Sequence, residues 1–199
     1  MASDRISTRK ATPEDDDHLA AFVNLASEGL AHYLWERMAE PGETAWDVGR
    51  RRARREEGSF SYRNGVIAEI DGDVAGCVIG YPLPERPEPI DARMPAMFLP
   101  LQELENLAPG TWYVNVLATY PGYRRRGIAS QLLGLAEIAA AQGGNRGLSI
   151  IVANANDAAR RLYEQRGYRQ TAERPMVKED WQSAGDRWVL LTKSGPGYL

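Results

Sequence analysis

Tyr123-Arg124-Arg125-Arg126-Gly127-Ile128-Ala129-Ser130-Gln131-Leu132-Leu133 is the stretch that decides the fold. It follows a β-like run, Trp112 to Thr119, and the turn Tyr120-Pro121-Gly122. It then opens into a helical pattern: Ile128, Leu132, Ala136 and Ala139 recur at i, i+4, i+8 and i+11, with Leu135 on the same face, until Gly143-Gly144 ends the run. A strand feeding a basic, glycine-containing loop and then a helix N-terminus makes an anion cradle. Unpaired N–H groups and the positive end of the helix dipole converge there. Gly127 lets the backbone approach a ligand closely, and Ala129 is the next small residue on that approach.

Downstream, Leu148 to Ala153 is a continuous apolar strand of the buried, parallel sort. Asn156 to Arg166 reads as a short helix closed by Gly167, and Tyr168–Ala172 and Trp188–Thr192 as closing strands. Upstream, Ile6–Lys10 reads as a strand, and Thr12-Pro13-Glu14-Asp15 as the start of a helix that runs to about Gly29. A second helix carries Leu30, Leu34, Trp35 and Met38 and stops at Pro41-Gly42, and a third is expected from Glu43 to Glu57. Phe60–Ile70 and Val74–Tyr81 read as a hairpin across Asp71-Gly72-Asp73. Residues 82–110 differ in kind. They hold seven of the twelve prolines and lean acidic, as expected of a long, partly helical surface insertion.

With 199 residues, 43% of them hydrophobic, the chain fits a single domain, 1–199, with a sizeable core. A net charge of −3 argues against a general nucleic-acid binder. The run Arg50 to Arg55 reads accordingly as a solvated helix face. One cysteine, Cys77, makes no internal disulfide, and it alternates with apolar residues as a small core residue does. No histidine or cysteine cluster has metal-ligand spacing, so no metal is expected, and His18 and His32 have no partner nearby in sequence. The first residues lack the apolar centre of a signal peptide, and no apolar run approaches the ~20 residues of a membrane span. A cytoplasmic protein with no membrane partner is the expectation.

Two motifs stand in fixed order: Arg124-x-x-Gly127-x-Ala129 after a strand ending Leu117-Ala118-Thr119, and Asn156-x-x-Ala159-x-x-Leu162-Tyr163-Glu164-x-x-Gly167-Tyr168 after a strand ending Val152. The pair resembles the GNAT superfamily of acetyl-CoA-dependent N-acetyltransferases, closely from Trp112 to Tyr168. The resemblance implies an α/β fold with a mixed, mostly antiparallel, twisted sheet of about six or seven strands and helices on both faces. It also implies acetyl-CoA as cosubstrate and a homodimer. The diphosphate of the coenzyme would meet Arg124, Arg125, Arg126, Gly127, Ile128, Ala129 and Ser130. Its pantetheine arm, a chain of amides, would lie as a pseudo-strand along Val116, Leu117, Ala118 and Thr119, with one of their N–H groups polarising the thioester oxygen. Asn156 would hydrogen-bond the pantetheine.

Transfer to an amine needs no protein nucleophile. The amine must be placed, its proton accepted and the departing thiolate protonated. Relatives put a tyrosine at the position of Tyr163 near the coenzyme sulfur, so Tyr163 is the expected acid. Some relatives carry a glutamate on the fourth strand as base. Here Tyr113 and Asn115 stand in that strand, so a water relaying to Glu69 or to a carboxylate of the insertion is expected instead. The expected reaction is acetylation of a small-molecule primary amine in a ternary complex. A protein N-terminus as acceptor, a longer acyl donor, and a non-catalytic CoA-binding module stay open as alternatives.

Overall fold

The computed structural model describes residues 5–195, which form two compact units. The first is Met1–Gly80 with Asn115–Leu135. It begins with strand β1 (Ile6–Lys10), followed by helices α1 (Asp16–Ala26), α2 (Leu30–Met38) and α3 (Ala45–Ala53) and strands β2 (Gly65–Ile70) and β3 (Asp73–Pro82). β1 and β2 pair antiparallel from Ile6↔Ile70 to Lys10↔Val66. β2 and β3 form the expected hairpin, turning through Asp71 (φ 54°) and Gly72 (φ 91°), the left-handed pair that matches strand twist.

Two elements, β2 and α3, are shorter than the sequence reading expects. β2 starts at Gly65 rather than Phe60, because Tyr62–Asn64 is a 3-10 turn capped by the Ser61 hydroxyl, which accepts from the Arg63 N–H. α3 starts at Ala45, where Thr44 and Asp47 cap each other, and ends at Ala53. Beyond Ala53 no apolar residue continues the buried stripe until Phe60.

The core of this unit joins Leu19 and Phe22 of α1, Trp35 of α2, Val48 of α3, Ile67, Cys77 and Ile79 of the hairpin, and Val116 and Ala118 of strand β4 (Trp112–Thr119). Gly76, alternating with Cys77, faces the other way, towards Ile128 at the start of helix α5 (Ile128–Gln142). Helices therefore cover both faces of this part of the sheet. The Cys77 thiol is fully buried, and desolvation pushes its pKa up, as expected of a core residue.

The second unit is Tyr81–Val114 with Ala136–Leu199. Its elements are α4 (Leu99–Glu105), β5 (Gly147–Ala153), α6 (Asp157–Gln165), β6 (Arg169–Pro175) and β7 (Arg187–Ser194). β5 pairs antiparallel with β7 from Gly147↔Ser194 to Ala153↔Trp188, and β7 pairs antiparallel with β6. β4 and β5 pair in parallel through Trp112↔Leu148 and Tyr113↔Ser149. The whole is one mixed sheet of seven strands in the order β1-β2-β3-β4-β5-β7-β6, mostly antiparallel and flanked by helices.

The insertion is ordered. Its neck is closed by Leu83 N–H to Thr111 C=O and Gly110 N–H to Pro84 C=O, both 2.8 Å. The Asn106 amide clasps the Glu88 backbone at 2.9 and 2.8 Å, and Glu103 ties α4 to Arg174 of β6 at 2.6 Å.

In the first unit, a Cβ on Gly49 would sit 2.6 Å from the Trp35 ring, which is itself stacked on Phe60 at 5.9 Å. Overpacking of about 1–3 kcal/mol then outweighs the helix-propensity gain of about 1 kcal/mol. Gly49→Ala is expected to lower the unfolding free energy by about 1 kcal/mol net, read as a lower urea midpoint.

Candidate active site

β4 ends where the Tyr120 N–H donates to the Ala75 carbonyl at 2.9 Å, and a 3-10 turn over Pro121–Tyr123 follows. Arg124 is extended, but Arg125 (φ 62°) and Gly127 (φ 85°) are left-handed. The first bond of α5 runs from the Gln131 N–H to the Gly127 carbonyl at 3.0 Å. The helix thus leaves the amides of Ile128, Ala129 and Ser130 unused. Arg124 to Gly127 are exposed. Among the described residues no carboxylate pairs with Arg124 or Arg125, while the Arg126 guanidinium donates to the Gly122 carbonyl at 3.4 Å.

A Cβ on Gly127 would meet no protein atom within 4 Å. Packing does not demand a glycine there; the backbone angle and the open space above the amides do. A turn of this kind, with free cations and a helix dipole behind it, suits a diphosphate.

The cradle is anchored through Ile128, which is buried and lies so close to Gly76 that a Cβ there would come within 2.8 Å of it. In β4, Val116 and Ala118 point into the core, so Leu117 and Thr119 point to the other face. These four residues lie past the last residue of β4 that pairs with β5.

In the second unit, the Asn156 side chain caps α6 by accepting from the Ala159 N–H at 3.2 Å. The helix ends in a Schellman motif, Tyr168 N–H to Tyr163 C=O and Gly167 N–H to Glu164 C=O, both 3.0 Å. Tyr163 is buried with its ring 5.8 Å from that of Tyr168, and burial raises its pKa. Tyr113 is buried edge-on to Tyr81 at 5.7 Å. Its pKa is raised first by burial and then by Glu105, Tyr81 and Tyr163. Glu105 itself, on α4, is pushed up to about 7, by burial first and by Glu88 second.

The model of the acetyltransferase (GNAT) family matches residues 27–168, more than half the chain. This protein belongs to the GNAT family of acetyltransferases. An acetyltransferase of known crystal structure superposes with a TM-score of 0.65 at 21% identity, over 94% of this chain and 98% of its own. An N-acetyltransferase from Staphylococcus aureus Mu50 superposes with a TM-score of 0.62 at 20% identity, over 94% and 100%. Ard1 from Thermoplasma volcanium does so with 0.60 at 14% identity, over 96% and 97%. At such identities the likeness is one of fold. No curated protein matches the chain significantly in sequence. Acetyl-CoA-dependent acyl transfer is the reaction of the family, and it is the reaction of this acetyltransferase in general.

Of the carboxylates considered for proton transfer, Glu69 is engaged: Arg9 bridges it at 2.7 Å while also gripping Asp15 at 2.7 Å. Of the two aromatics at the start of β4, Tyr113 is the buried one. The arginine run on α3 is tied into surface ion pairs, Arg50 with Asp17 and Asp47, Arg51 with Glu43, and Arg54 with Asp16. His18, without a neighbour in sequence, finds one in space: its Nδ1 lies 2.8 Å from the Tyr120 hydroxyl. Glu105 was visible only as one of several acids in the insertion. Among the described residues no group of side chains is arranged to hold a metal, and no helix is long and apolar enough to cross a membrane.

A raised carboxyl pKa means that the folded state holds the proton more tightly than the unfolded one. That contribution is complete below about 4.5 and is lost as pH rises through about 7. Glu105→Gln removes the titration and is expected to stabilise the protein, relative to wild type, on the order of 2 kcal/mol more at about pH 8 than at about pH 4. Thermal unfolding at the two pH values measures it.

Proposed function

We propose that this acetyltransferase moves the acetyl group of acetyl-CoA onto a primary amine of a small molecule by direct attack in a ternary complex. The observation that carries the reading is the exposed turn from Arg124 to Ser130, with two left-handed residues and the free amides of a helix N-terminus. Arg124, Arg125 and Arg126 with the amides of Gly127, Ile128, Ala129 and Ser130 hold the diphosphate. Main-chain groups of Val116, Leu117, Ala118 and Thr119 hold the pantetheine amides, and one N–H among them polarises the thioester oxygen. Asn156 adds a side-chain hydrogen bond while capping its helix. When bound, acetyl-CoA supplies an acyl group already activated as a thioester.

Tyr163 gives the proton that the departing sulfur needs. Burial keeps its phenol protonated through neutral pH, and the same desolvation makes a thiolate a stronger base than it is in water. A small cationic amine is favoured by the acidic lean of the insertion, Glu85, Glu88, Asp91, Glu103 and Glu105 against Arg86 and Arg93.

Titration calorimetry is expected to show acetyl-CoA binding with a roughly micromolar Kd. Gly127→Glu, which strains the turn and places a negative charge at the diphosphate, is expected to weaken it by about 100-fold or more. Binding unchanged in the variant would move the coenzyme elsewhere. Tyr163→Phe is expected to lower kcat by about 10- to 100-fold while leaving acetyl-CoA affinity within about twofold. Steady-state release of CoA across a panel of amines reads the first, calorimetry the second. Undiminished turnover would remove Tyr163 from the mechanism.

A further inference from the structure

β4 passes into the basic turn through Tyr120, and two other elements hold that residue. Its N–H donates to the Ala75 carbonyl of β3 at 2.9 Å, and its own carbonyl accepts from the Tyr123 N–H at 2.9 Å, which closes the 3-10 turn. α1 grips the side chain. The ring lies 4.3 Å from that of Phe22, a fully buried core residue, and the hydroxyl lies 2.8 Å from Nδ1 of His18. His18 and Phe22 stand one helical turn apart, so a single face of α1 makes both contacts. All of these residues belong to the first unit, as does the turn itself.

Between this anchor and the arginines the backbone has little freedom. Tyr120 is extended (φ −57°, ψ 143°), the conformation that a following proline favours, and the ring of Pro121 fixes its own φ. The seat of the Tyr120 side chain therefore sets the direction in which residues 122–127 leave the sheet. Packing on Phe22 alone would be served equally by a phenylalanine. The hydroxyl adds a directional bond to a half-buried imidazole from a distant part of the chain. That bond also tolerates titration of the histidine. Burial first, then Cys77 and Asp17, raises the pKa of the Tyr120 phenol, so it stays neutral at working pH. A neutral phenol can donate to a bare Nδ1 or accept from a protonated one.

We infer that His18 and Tyr120 are positioning residues for the coenzyme. The pair braces the turn in the shape that receives the diphosphate, so binding does not have to order it. The inference rests on the reading that the turn from Arg124 to Ser130 is the diphosphate site. The brace acts through the turn and moves no proton in the transfer.

The test compares two ligands in wild type, Tyr120→Phe, His18→Ala, His18→Asn and the variant combining Tyr120→Phe with His18→Ala. Tyr120→Phe keeps the ring and loses only the bond. It is expected to weaken acetyl-CoA by about fivefold in calorimetry, and His18→Ala by a similar factor. The combined variant should be no weaker than either single one, within about twofold, because both substitutions remove the same bond. His18→Asn, whose amide reaches the place of Nδ1, is expected to recover most of the loss. S-acetylpantetheine lacks the diphosphate, and its Kd in NMR titrations is expected to stay within about twofold across the set. A variant that merely loosened the fold would weaken both ligands together. A second measurement needs no ligand. Hydrogen exchange at the Tyr123 amide is expected to be about fivefold faster in Tyr120→Phe and His18→Ala than in wild type, with the Gln131 amide of α5 unchanged. Wild-type acetyl-CoA affinity in Tyr120→Phe, equal losses for the two ligands, additive losses in the combined variant, or unchanged exchange at Tyr123 overturns the inference. If wild type binds acetyl-CoA no better than S-acetylpantetheine, the diphosphate reading fails instead, and exchange at Tyr123 still decides whether the pair braces the turn.

Discussion

The start of α5 is fixed by a contact that only a missing side chain permits. Ile128 lies in the space that a Cβ on Gly76 would fill, and the same Cβ would come within 2.9 Å of the Ala118 carbonyl. β3, the end of β4 and the first turn of α5 are thereby held at one point. The dipole of α5 and its three uncommitted amides are aimed by this contact, so the geometry of the anion cradle is a property of the core beneath it. The loop above can stay exposed and basic because it does not have to hold itself in place.

The two arginine-rich segments show how much context decides. At α3, Arg50, Arg51 and Arg54 face acids from α1, from α3 itself and from the turn before it, and their charge is spent in surface pairs worth little individually. Between β4 and α5, Arg124 and Arg125 extend from an exposed turn, and among the described residues no carboxylate pairs with either of them. Residue type is the same; the partners differ. A parallel contrast separates Glu103 from Glu105, two positions apart on α4, one tied to β6 and the other withdrawn into a cleft.

What the sequence disclosed was local. The turn at Asp71-Gly72, the glycine-bearing loop before α5 and the capped helix from Asn156 to Gly167 each follow from residues within one or two turns of one another, and each stands where expected. The resemblance carried by the two motifs implied a mixed sheet of about six or seven strands, and the sheet has seven. Features made by distant residues stayed hidden. His18 and Tyr120 meet across 102 positions, and the cleft beside Glu105 is assembled from α4 and the loops on either side of it. Even β2 was read too long, since the apolar residues before Gly65 carry no sign that the Ser61 hydroxyl folds them into a turn. Spacing reports which face a residue occupies; it does not report which carboxylate loses its water.

The lone cysteine has a practical corollary. Cys77 is wholly enclosed, and its sulfur keeps its proton far into the alkaline range. Thiol-directed chromogens added to follow liberated coenzyme will therefore register the coenzyme rather than the enzyme. Mild oxidants and alkylating agents should leave the catalyst intact, and crosslinking through sulfur will need a residue introduced for the purpose.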